Sequence, residues 1–239
     1  MKILVSGYGQ MGRMLVKKID EGEAFDLVGV VDALGQGTVT TFAEVKEIPD
    51  VVIDFSHPKS LKGILSFALT HHVPVVLATT NYSEADERAI QEASKQIPIF
   101  KTANLSFGIQ ALLKAIKTLQ ELLPEADIEI VETHHRRKVD APSGTAHMLV
   151  NALNDSHQSV VYGRKGEQKR TANEIGVHSL RGGTVNGIHE VNFLLDDEVI
   201  SIKHQAENKW VFVKGALKAA TFVVKQTRGL YEMKDILEE

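Results

Sequence analysis

Cysteine is absent from the 239-residue chain, which excludes disulfide bonds, thiolate metal ligands and thiol nucleophiles. A large excess of one charge is also absent. The 27 basic and 31 acidic residues leave a net charge of −4, which argues against nonspecific binding to nucleic acid. No apolar run approaches the roughly 18 residues needed to cross a bilayer, and the run from Ile3 to Val5 is too short for a signal peptide. We therefore expect a cytoplasmic protein that binds neither nucleic acid nor membrane.

A glycine-rich turn lies between a strand and a helix at the start of the chain. The apolar run from Lys2 to Ser6 predicts a buried strand, and Met14, Leu15 and Ile19 recur at helical spacing. The G-x-G-x-x-G pattern between them consists of Gly7, Tyr8, Gly9, Gln10, Met11 and Gly12. Such a turn lets the backbone approach a pyrophosphate, and the helix start offers it N–H groups. We predict a site for NADH and/or NADPH.

An acidic residue follows the second predicted strand. Asp32 comes 20 residues after Gly12, where a carboxylate can accept hydrogen bonds from the adenosine ribose. The carboxylate would repel a 2′-phosphate, and no adjacent arginine follows to bind that phosphate. The sequence therefore favours NADH weakly, because a single exposed charge has a small effect.

Three further strands are predicted in the first hundred residues, over Asp50 to Phe55, Val73 to Ala78 and Ile97 to Lys101. Strands that alternate with helices predict a parallel sheet, whose carboxyl ends bind ligands. The residues expected there are Phe55, Ser56, Ala78, Thr79, Thr80, Ala103, Asn104 and Leu105. Ser56 is a candidate cap for the next helix. Only a helical stub is expected between the second and third strands, near Phe42 to Glu47.

The middle of the chain carries a concentration of basic and histidine side chains. An alternating strand from Asp127 to Thr133 leads into His134, and a helix is predicted to start after Ser143. The helix start near Gly144 and Thr145 would bind a carboxylate or phosphate. A nearby histidine and lysine could supply a general acid and an electrostatic anchor. A solvated basic loop and a nucleic-acid patch are the alternatives, the second disfavoured by the overall acidity.

The segment from Glu129 to Ala146 resembles the signature of the 4-hydroxy-tetrahydrodipicolinate (dihydrodipicolinate) reductase family at every fixed position. The resemblance extends over the whole chain. Two departures are visible: the family's G-T-T-G turn is replaced by Ala78-Thr79-Thr80-Asn81, and a frequent arginine aligns with Lys209.

The resemblance implies roles for the residues of this segment. His134 would be the general acid/base, and Lys138 the proton donor and substrate-binding lysine. His135 would contact substrate, and Gly144 and Thr145 would hold a substrate carboxylate. The implied reaction is the NAD(P)H-dependent reduction of a small cyclic dicarboxylate in diaminopimelate and lysine biosynthesis, carried out by a homotetramer.

The predicted fold is α/β, with an N-terminal Rossmann-like parallel-sheet domain and an inserted α+β mixed-sheet domain for substrate binding and oligomerisation. The first domain is predicted over residues 1–104 and 212–239, and the second over 105–211. Strands are expected over Gly176 to Leu180, Ile188 to Leu195 and Val199 to His204. A final helix is expected over about Trp210 to Arg228. Arg181 and His189 are interpreted as sheet-surface residues rather than substrate neighbours, and no metal site is predicted.

Two other functions remain open at this point. Another two-domain nicotinamide dehydrogenase is one, although a thioester-forming semialdehyde dehydrogenase would need a cysteine nucleophile. A sugar dehydrogenase would lack the P-S-G-T-A segment. The other is a non-catalytic nucleotide sensor, which would not need His134 and Lys138.

Overall fold

The computed structural model describes residues 1–154 and 158–237 and divides the chain into two units. One unit comprises Met1–Leu105 and Trp210–Glu239, and the other comprises Ser106–Lys209. The predicted boundaries lie one and two residues away from these. None of the helices in the described residues is both long enough and apolar enough to span a membrane.

The elements of the described residues are as follows. The strands are β1 Lys2–Ser6, β2 Asp26–Val31, β3 Val51–Asp54, β4 Val75–Leu77, β5 Pro98–Lys101, β6 Asp127–His134, β7 Ser159–Tyr162, β8 Glu174–Arg181, β9 Ile188–Leu194, β10 Val199–Gln205 and β11 Gly229–Tyr231. The helices are α1 Gln10–Asp20, α2 Leu61–His71, α3 Glu84–Ser94, α4 Phe107–Leu122, α5 Gly144–Leu153, α6 Trp210–Val223 and α7 Met233–Leu237.

The first unit contains a six-stranded parallel sheet in the order β11-β5-β4-β3-β1-β2. The central strands β1, β3 and β4 are almost entirely buried, as expected for a sheet covered on both faces. Apolar residues of α2 and α3 pack with strand residues in one core cluster, and α6 contacts β4, β5 and α1. The predicted Rossmann-like domain is confirmed.

The turn between β1 and α1 depends on close backbone contacts. Gly7 has φ of +90°, and a Cβ there would lie 2.7 Å from Cα of Ser56. A Cβ at Gly12 would lie 2.0 Å from the carbonyl oxygen of Gly7. A Cβ at Gly9 would meet no atom within 4 Å. Two of the three glycines are therefore required by packing, whereas Gly9 borders open space.

The second unit contains a five-stranded mixed sheet in the order β10-β9-β6-β8-β7. The strand β6 runs antiparallel to β9 and parallel to β8. Inward side chains of the sheet share a core cluster with α4 and α5. The predicted mixed sheet is confirmed, and its central strand β6 ends at His134.

Several local expectations were wrong or incomplete. The Ser56 side chain does not cap a helix: His57 accepts from the Lys59 N–H and caps a 3₁₀ turn that precedes α2. Strands β7 and β11 were not predicted. The strand β11 is only three residues long and pairs with β5. The helix expected over about Trp210 to Arg228 is α6, which ends at Val223, and the short helix α7 was not predicted. The expected stub is a 3₁₀ turn over Phe42–Glu44.

Gly12→Ala should reduce the stability of the protein, whereas Gly9→Ala should reduce its affinity for NADH. A methyl group at residue 12 forces the helix away from Gly7, so we expect the free energy of unfolding to fall by about 1–3 kcal/mol. Gly9→Ala should change it by less than about 0.5 kcal/mol but weaken NADH binding. Urea denaturation and NADH titration measure the two effects, and a Gly9→Ala variant with parental NADH affinity would contradict the expected backbone approach.

Candidate active site

Two adjoining cavities lie at the carboxyl ends of the first unit's strands. The larger has a volume of about 960 Å³, within the usual range for a ligand site. The smaller has a volume of about 700 Å³, and both are lined by Phe55 and Ser56. Predicted cofactor residues that line the larger cavity are Gly7, Tyr8, Gly9 and Asp32, and those that line the smaller are Gln10, Met11, Ala78, Thr79 and Thr80.

The remaining predicted cofactor residues lie outside the lining of these two cavities. Gly12 packs against Gly7, as described. The backbone N–H of Asn104 donates to Thr102 Oγ1 (3.1 Å), and Ala103 lies between these two residues. Leu105 is buried, with its backbone oxygen against Gly215. Their place in cofactor binding therefore stays a prediction.

The turn at Phe55 and Ser56 is held by a buried carboxyl group. Asp54 is fully buried, and its Oδ1 accepts from both Oγ (2.5 Å) and the N–H (3.1 Å) of Ser56. Tyr82 Oη donates to Oδ2 of Asp54 (3.3 Å). Burial raises the pKa of Asp54 despite these hydrogen bonds. The Ser56 hydroxyl binds this carboxyl group and so cannot serve as the expected helix cap.

Asp32 holds the loop that follows β2. Its Oδ2 accepts from the Tyr8 N–H (2.9 Å), and its Oδ1 accepts from the Leu34 N–H (3.0 Å). Partial burial opposes ionisation, but backbone N–H groups such as that of Tyr8 hold the pKa of Asp32 below its usual range. The carboxylate is therefore ionised at the position predicted for the ribose.

Arg13 lies beside Asp32, which inspection of sequence neighbours did not predict. The guanidinium of Arg13 stacks 5.1 Å from the centre of the Tyr8 ring, and its Nε donates to the Tyr8 carbonyl (3.0 Å). Its Nη2 donates to Gln36, and its charge contributes to the lowered pKa of Asp32. The first turn of α1 therefore brings an arginine near Asp32, although none is adjacent to it in the sequence.

A buried acid–histidine pair lies at the end of β6 in the second unit. His134 is 7% exposed, Glu132 is fully buried, and the His134 Nδ1 contacts Glu132 Oε2. The other carboxylate oxygen accepts from Arg181 Nη2 (2.6 Å) and from the Ser143 N–H (3.3 Å). Burial raises the pKa of Glu132, but hydrogen bonds from His134 and Arg181 outweigh it and bring that pKa well below its usual range.

His189 belongs to the same cluster. It is 4% exposed, its ring centre lies 5.1 Å from that of His134, and its Nε2 lies 3.1 Å from Ser143 Oγ. The Ser143 hydroxyl also accepts from the Ala146 N–H (3.2 Å), the predicted cap of α5. Burial, with the charge of His134 second, lowers the pKa of His189 to about 4. The interpretation of Arg181 and His189 as sheet-surface residues was wrong.

The loop after His134 brings positive charges together. Lys138 pairs with Asp140 (Nζ to Oδ1, 2.9 Å). Desolvation and then the charges of Arg137 and Lys209 lower the pKa of His135. A Cβ at Gly144 would meet no atom within 4 Å, so the start of α5 borders open space. The local positive charge would attract an anion.

The buried cluster of Glu132, His134 and His189 also has the types of side chain that bind a cation. One potential ligand atom from each of Glu132, His134 and His189 lies within 4.8 Å of the others. However, the Glu132 carboxylate already accepts from the guanidinium of Arg181, and this positive charge opposes a second cation. Hydrogen bonding accounts for the Glu132 contacts, so a metal ion is not needed to explain them.

Family models match both units. The model described as "Dihydrodipicolinate reductase, N-terminus" matches residues 1–105, and "Dihydrodipicolinate reductase, C-terminus" matches residues 108–237. The chain belongs to the dihydrodipicolinate reductase family. This is a family of NAD(P)H-dependent oxidoreductases, as the resemblance of the residue 129–146 segment implied.

Curated relatives cover nearly the whole chain. The 4-hydroxy-tetrahydrodipicolinate reductase of Caldanaerobacter subterraneus subsp. tengcongensis is 44% identical, covering 97% of this chain and 95% of its own. The enzyme of the same name from Exiguobacterium sibiricum is 42% identical, covering 99% and 96%. The similarity to these two enzymes therefore extends over both units of this chain.

Solved structures support the fold. A dipicolinate-bound dihydrodipicolinate reductase from Paenisporosarcina sp. TG-14 aligns with a TM-score of 0.77 at 20% identity, covering 97% of each chain. A myo-inositol dehydrogenase from Corynebacterium glutamicum aligns with a TM-score of 0.60 at 13% identity, covering 96% of this chain and 90% of its own. The fold is thus shared with dehydrogenases outside the family.

Acid should destabilise the protein in part through His189. Its folded-state pKa of about 4 lies below its ordinary value of 6.5, so the folded state favours the neutral ring. The resulting stability is complete above pH 6.5 and is lost as the pH falls toward 4, by at most about 1.4 kcal/mol per pH unit. Urea denaturation should show a smaller loss over this range in His189→Gln than in the parent. Equal pH dependence in the two proteins would contradict this assignment.

Proposed function

We propose that the chain reduces 4-hydroxy-tetrahydrodipicolinate to tetrahydrodipicolinate with NAD(P)H, in diaminopimelate and lysine biosynthesis. The observation that carries the proposal is the concentration of signature side chains at the end of β6, in a family of this activity. There a buried histidine, a group of cations and the start of α5 occur together. A non-catalytic sensor would have no need of the buried Glu132–His134 pair.

The substrate's two carboxylates fit the positive side of this site. One would be bound at the start of α5 by Gly144 and Thr145, where helix N–H groups favour a negative charge. Lys138, with His135 beside it, would attract the other. A dihydrodipicolinate reductase bound to dipicolinate, a cyclic dicarboxylate, shares the fold. Lys209 adds positive charge near His135, so we propose that it contributes to substrate attraction.

The reaction adds a hydride and a proton to the ring and removes one molecule of water. The nicotinamide, when bound, supplies the hydride to a ring carbon conjugated with the C=N bond. Negative charge then develops toward the ring nitrogen, and a nearby acid lowers the barrier by sharing a proton with it. His134 is the group we assign to this proton transfer, with Lys138 stabilising the developing charge.

The cofactor site has one charged group that favours NADH and one that favours NADPH. The Gly9 backbone would approach the pyrophosphate, Asp32 would accept from the adenosine ribose, and Ser56, Thr79 and Thr80 would border the nicotinamide half. Asp32 favours NADH because it repels a 2′-phosphate. The guanidinium of Arg13 lies close enough to offset part of that repulsion, and we propose that NADPH is accepted as well.

The mixed sheet of the second unit supports the proposed homotetramer. One face packs on α4 and α5, while apolar side chains on the other side of the sheet include Leu180, 53% exposed, and Val199, 56% exposed. A second copy of the chain could cover such a face. We propose that residues 105–211 bind substrate and mediate this assembly, and that the enzyme acts in the cytoplasm.

A coupled assay tests the function and its site. Because the substrate is unstable, it would be generated from pyruvate and aspartate semialdehyde by its upstream synthase, and NAD(P)H oxidation followed by absorbance. We expect oxidation that requires the synthase. His134→Gln should lower kcat by roughly 10²-fold to 10⁴-fold with little change in KM, and Lys138→Ala should lower kcat and raise KM.

Lys165→Ala is the control for the His134 and Lys138 variants. It removes an exposed lysine of the second unit and should retain the kinetics of the parent. Normal turnover in both the His134 and Lys138 variants would refute the site assignment. An inactive parent that still binds NADH would instead favour the nucleotide sensor or another dehydrogenase.

Cofactor preference should depend on Asp32 and Arg13 in opposite ways. Asp32→Asn removes the repulsion of a 2′-phosphate, so we expect KM for NADPH to fall relative to KM for NADH. Arg13→Gln removes the compensating charge and should raise KM for NADPH by roughly 10-fold, with a smaller effect on NADH. The two ratios are measured in the coupled assay. An unchanged ratio in Arg13→Gln would show that its charge does not act on the cofactor.

A further inference from the structure

The two ring nitrogens of His134 have different surroundings. Nδ1 contacts the carboxylate of the fully buried Glu132. An ionised carboxylate can only accept hydrogen bonds, and Glu132 is kept ionised by the guanidinium of Arg181 at 2.6 Å and the N–H of Ser143 at 3.3 Å. The shared proton therefore belongs on Nδ1, and a neutral His134 carries its lone pair on Nε2.

The surroundings of Nε2 are open by comparison. Within residues 1–154 and 158–237, no group forms a hydrogen bond with this nitrogen. Gly187 lies beside it: a Cβ at this position would be 3.1 Å from Nε2. The absence of a side chain at residue 187 thus keeps the space next to Nε2 clear.

We propose that Glu132 is the positioning residue that commits His134 to the Nδ1–H tautomer, so that Nε2 is the atom that exchanges the proton with substrate. The destination of the proton rests on the proposed function. The tautomer itself does not, since it follows from the contacts of Glu132 alone.

Glu132 also connects His134 to the start of α5, the proposed site for a substrate carboxylate. The oxygen that accepts from Arg181 accepts from the Ser143 N–H as well, and Ser143 is the residue that caps α5. Arg181 in turn donates to the Asp140 carbonyl (2.7 Å), in the loop that carries Lys138. A single carboxylate therefore fixes Nε2 of His134 relative to the helix start that would hold a substrate carboxylate.

Glu132→Gln tests the tautomer directly. The side-chain carbonyl of glutamine can still accept from Arg181 and Ser143, but its NH₂ group would donate to Nδ1 and move the ring proton to Nε2. Long-range ¹H–¹⁵N correlation spectra of the full-length protein, labelled at histidine, report which nitrogen is protonated. The His134 signals are assigned by their loss in His134→Gln.

The expected result is a proton on Nδ1 in the parent and on Nε2 in Glu132→Gln, with kcat lowered roughly 10²-fold or more and KM nearly unchanged. Glu129→Gln is the matched control. Glu129 lies on the same strand between an arginine and a histidine, Arg164 and His178, each within 2.9 Å. It should leave the His134 spectrum as in the parent.

A folded Glu132→Gln protein with the parental tautomer, or with turnover within about 3-fold of the parent, would overturn the proposal. An inactive parent would refute the proposed function, while the spectra would still decide the role of Glu132.

Gly187→Ala provides an independent test if Glu132→Gln does not fold. It leaves the Glu132 contact intact but places a methyl group 3.1 Å from Nε2, so we expect the parental tautomer with strongly reduced kcat. Gly182→Ala is its control, because a Cβ there would meet no atom within 4 Å, and it should retain turnover. Full turnover in Gly187→Ala would overturn the assignment of Nε2.

Discussion

The burial of one negative charge organises the second unit. Moving a carboxylate such as Glu132 out of water costs several kcal/mol unless it is paired and hydrogen-bonded. Here a guanidinium, an imidazole and a backbone N–H all donate to it. These donors come from β8, from the end of β6 and from the residue that caps α5. Because leaving the charge unpaired is so unfavourable, the three segments are constrained to meet at this point.

The distribution of charge, rather than its total, supports substrate binding. The chain is slightly acidic overall, yet Arg137 and Lys138, which follow β6, and Lys209, which follows β10, are close enough to influence His135 or His189. A local positive potential attracts a dianion even when the whole protein repels it weakly. Composition argues against nonspecific binding to nucleic acid, whereas the local arrangement of charge is what favours an anionic ligand.

The sequence predicted those features of the site whose contacts join residues close together in the chain. The contact of Gly12 with Gly7 and the cap at Ser143 depend on neighbours within a few residues, so their spacing predicts their geometry. Arg13 was missed, and His189 was wrongly interpreted as a sheet-surface residue, for a physical reason. Arg13 reaches Asp32 through the helical turn that follows the glycines, and His189 reaches His134 through strand pairing across the sheet. Contacts between distant segments leave no periodic signal along either segment.

Strand geometry explains the spacing of the signature glutamates. Side chains on a strand alternate between faces, so Glu132 and His134, two residues apart, share the buried face of β6. Glu129, three residues before Glu132, lies on the opposite face and pairs with Arg164 and His178. The two glutamates therefore serve different surfaces: Glu132 contacts His134 on the buried face, and Glu129 belongs to an ion-pair network on the other face. Lys138 lies beyond the strand end, where alternation no longer applies, so the fold of the loop decides its position.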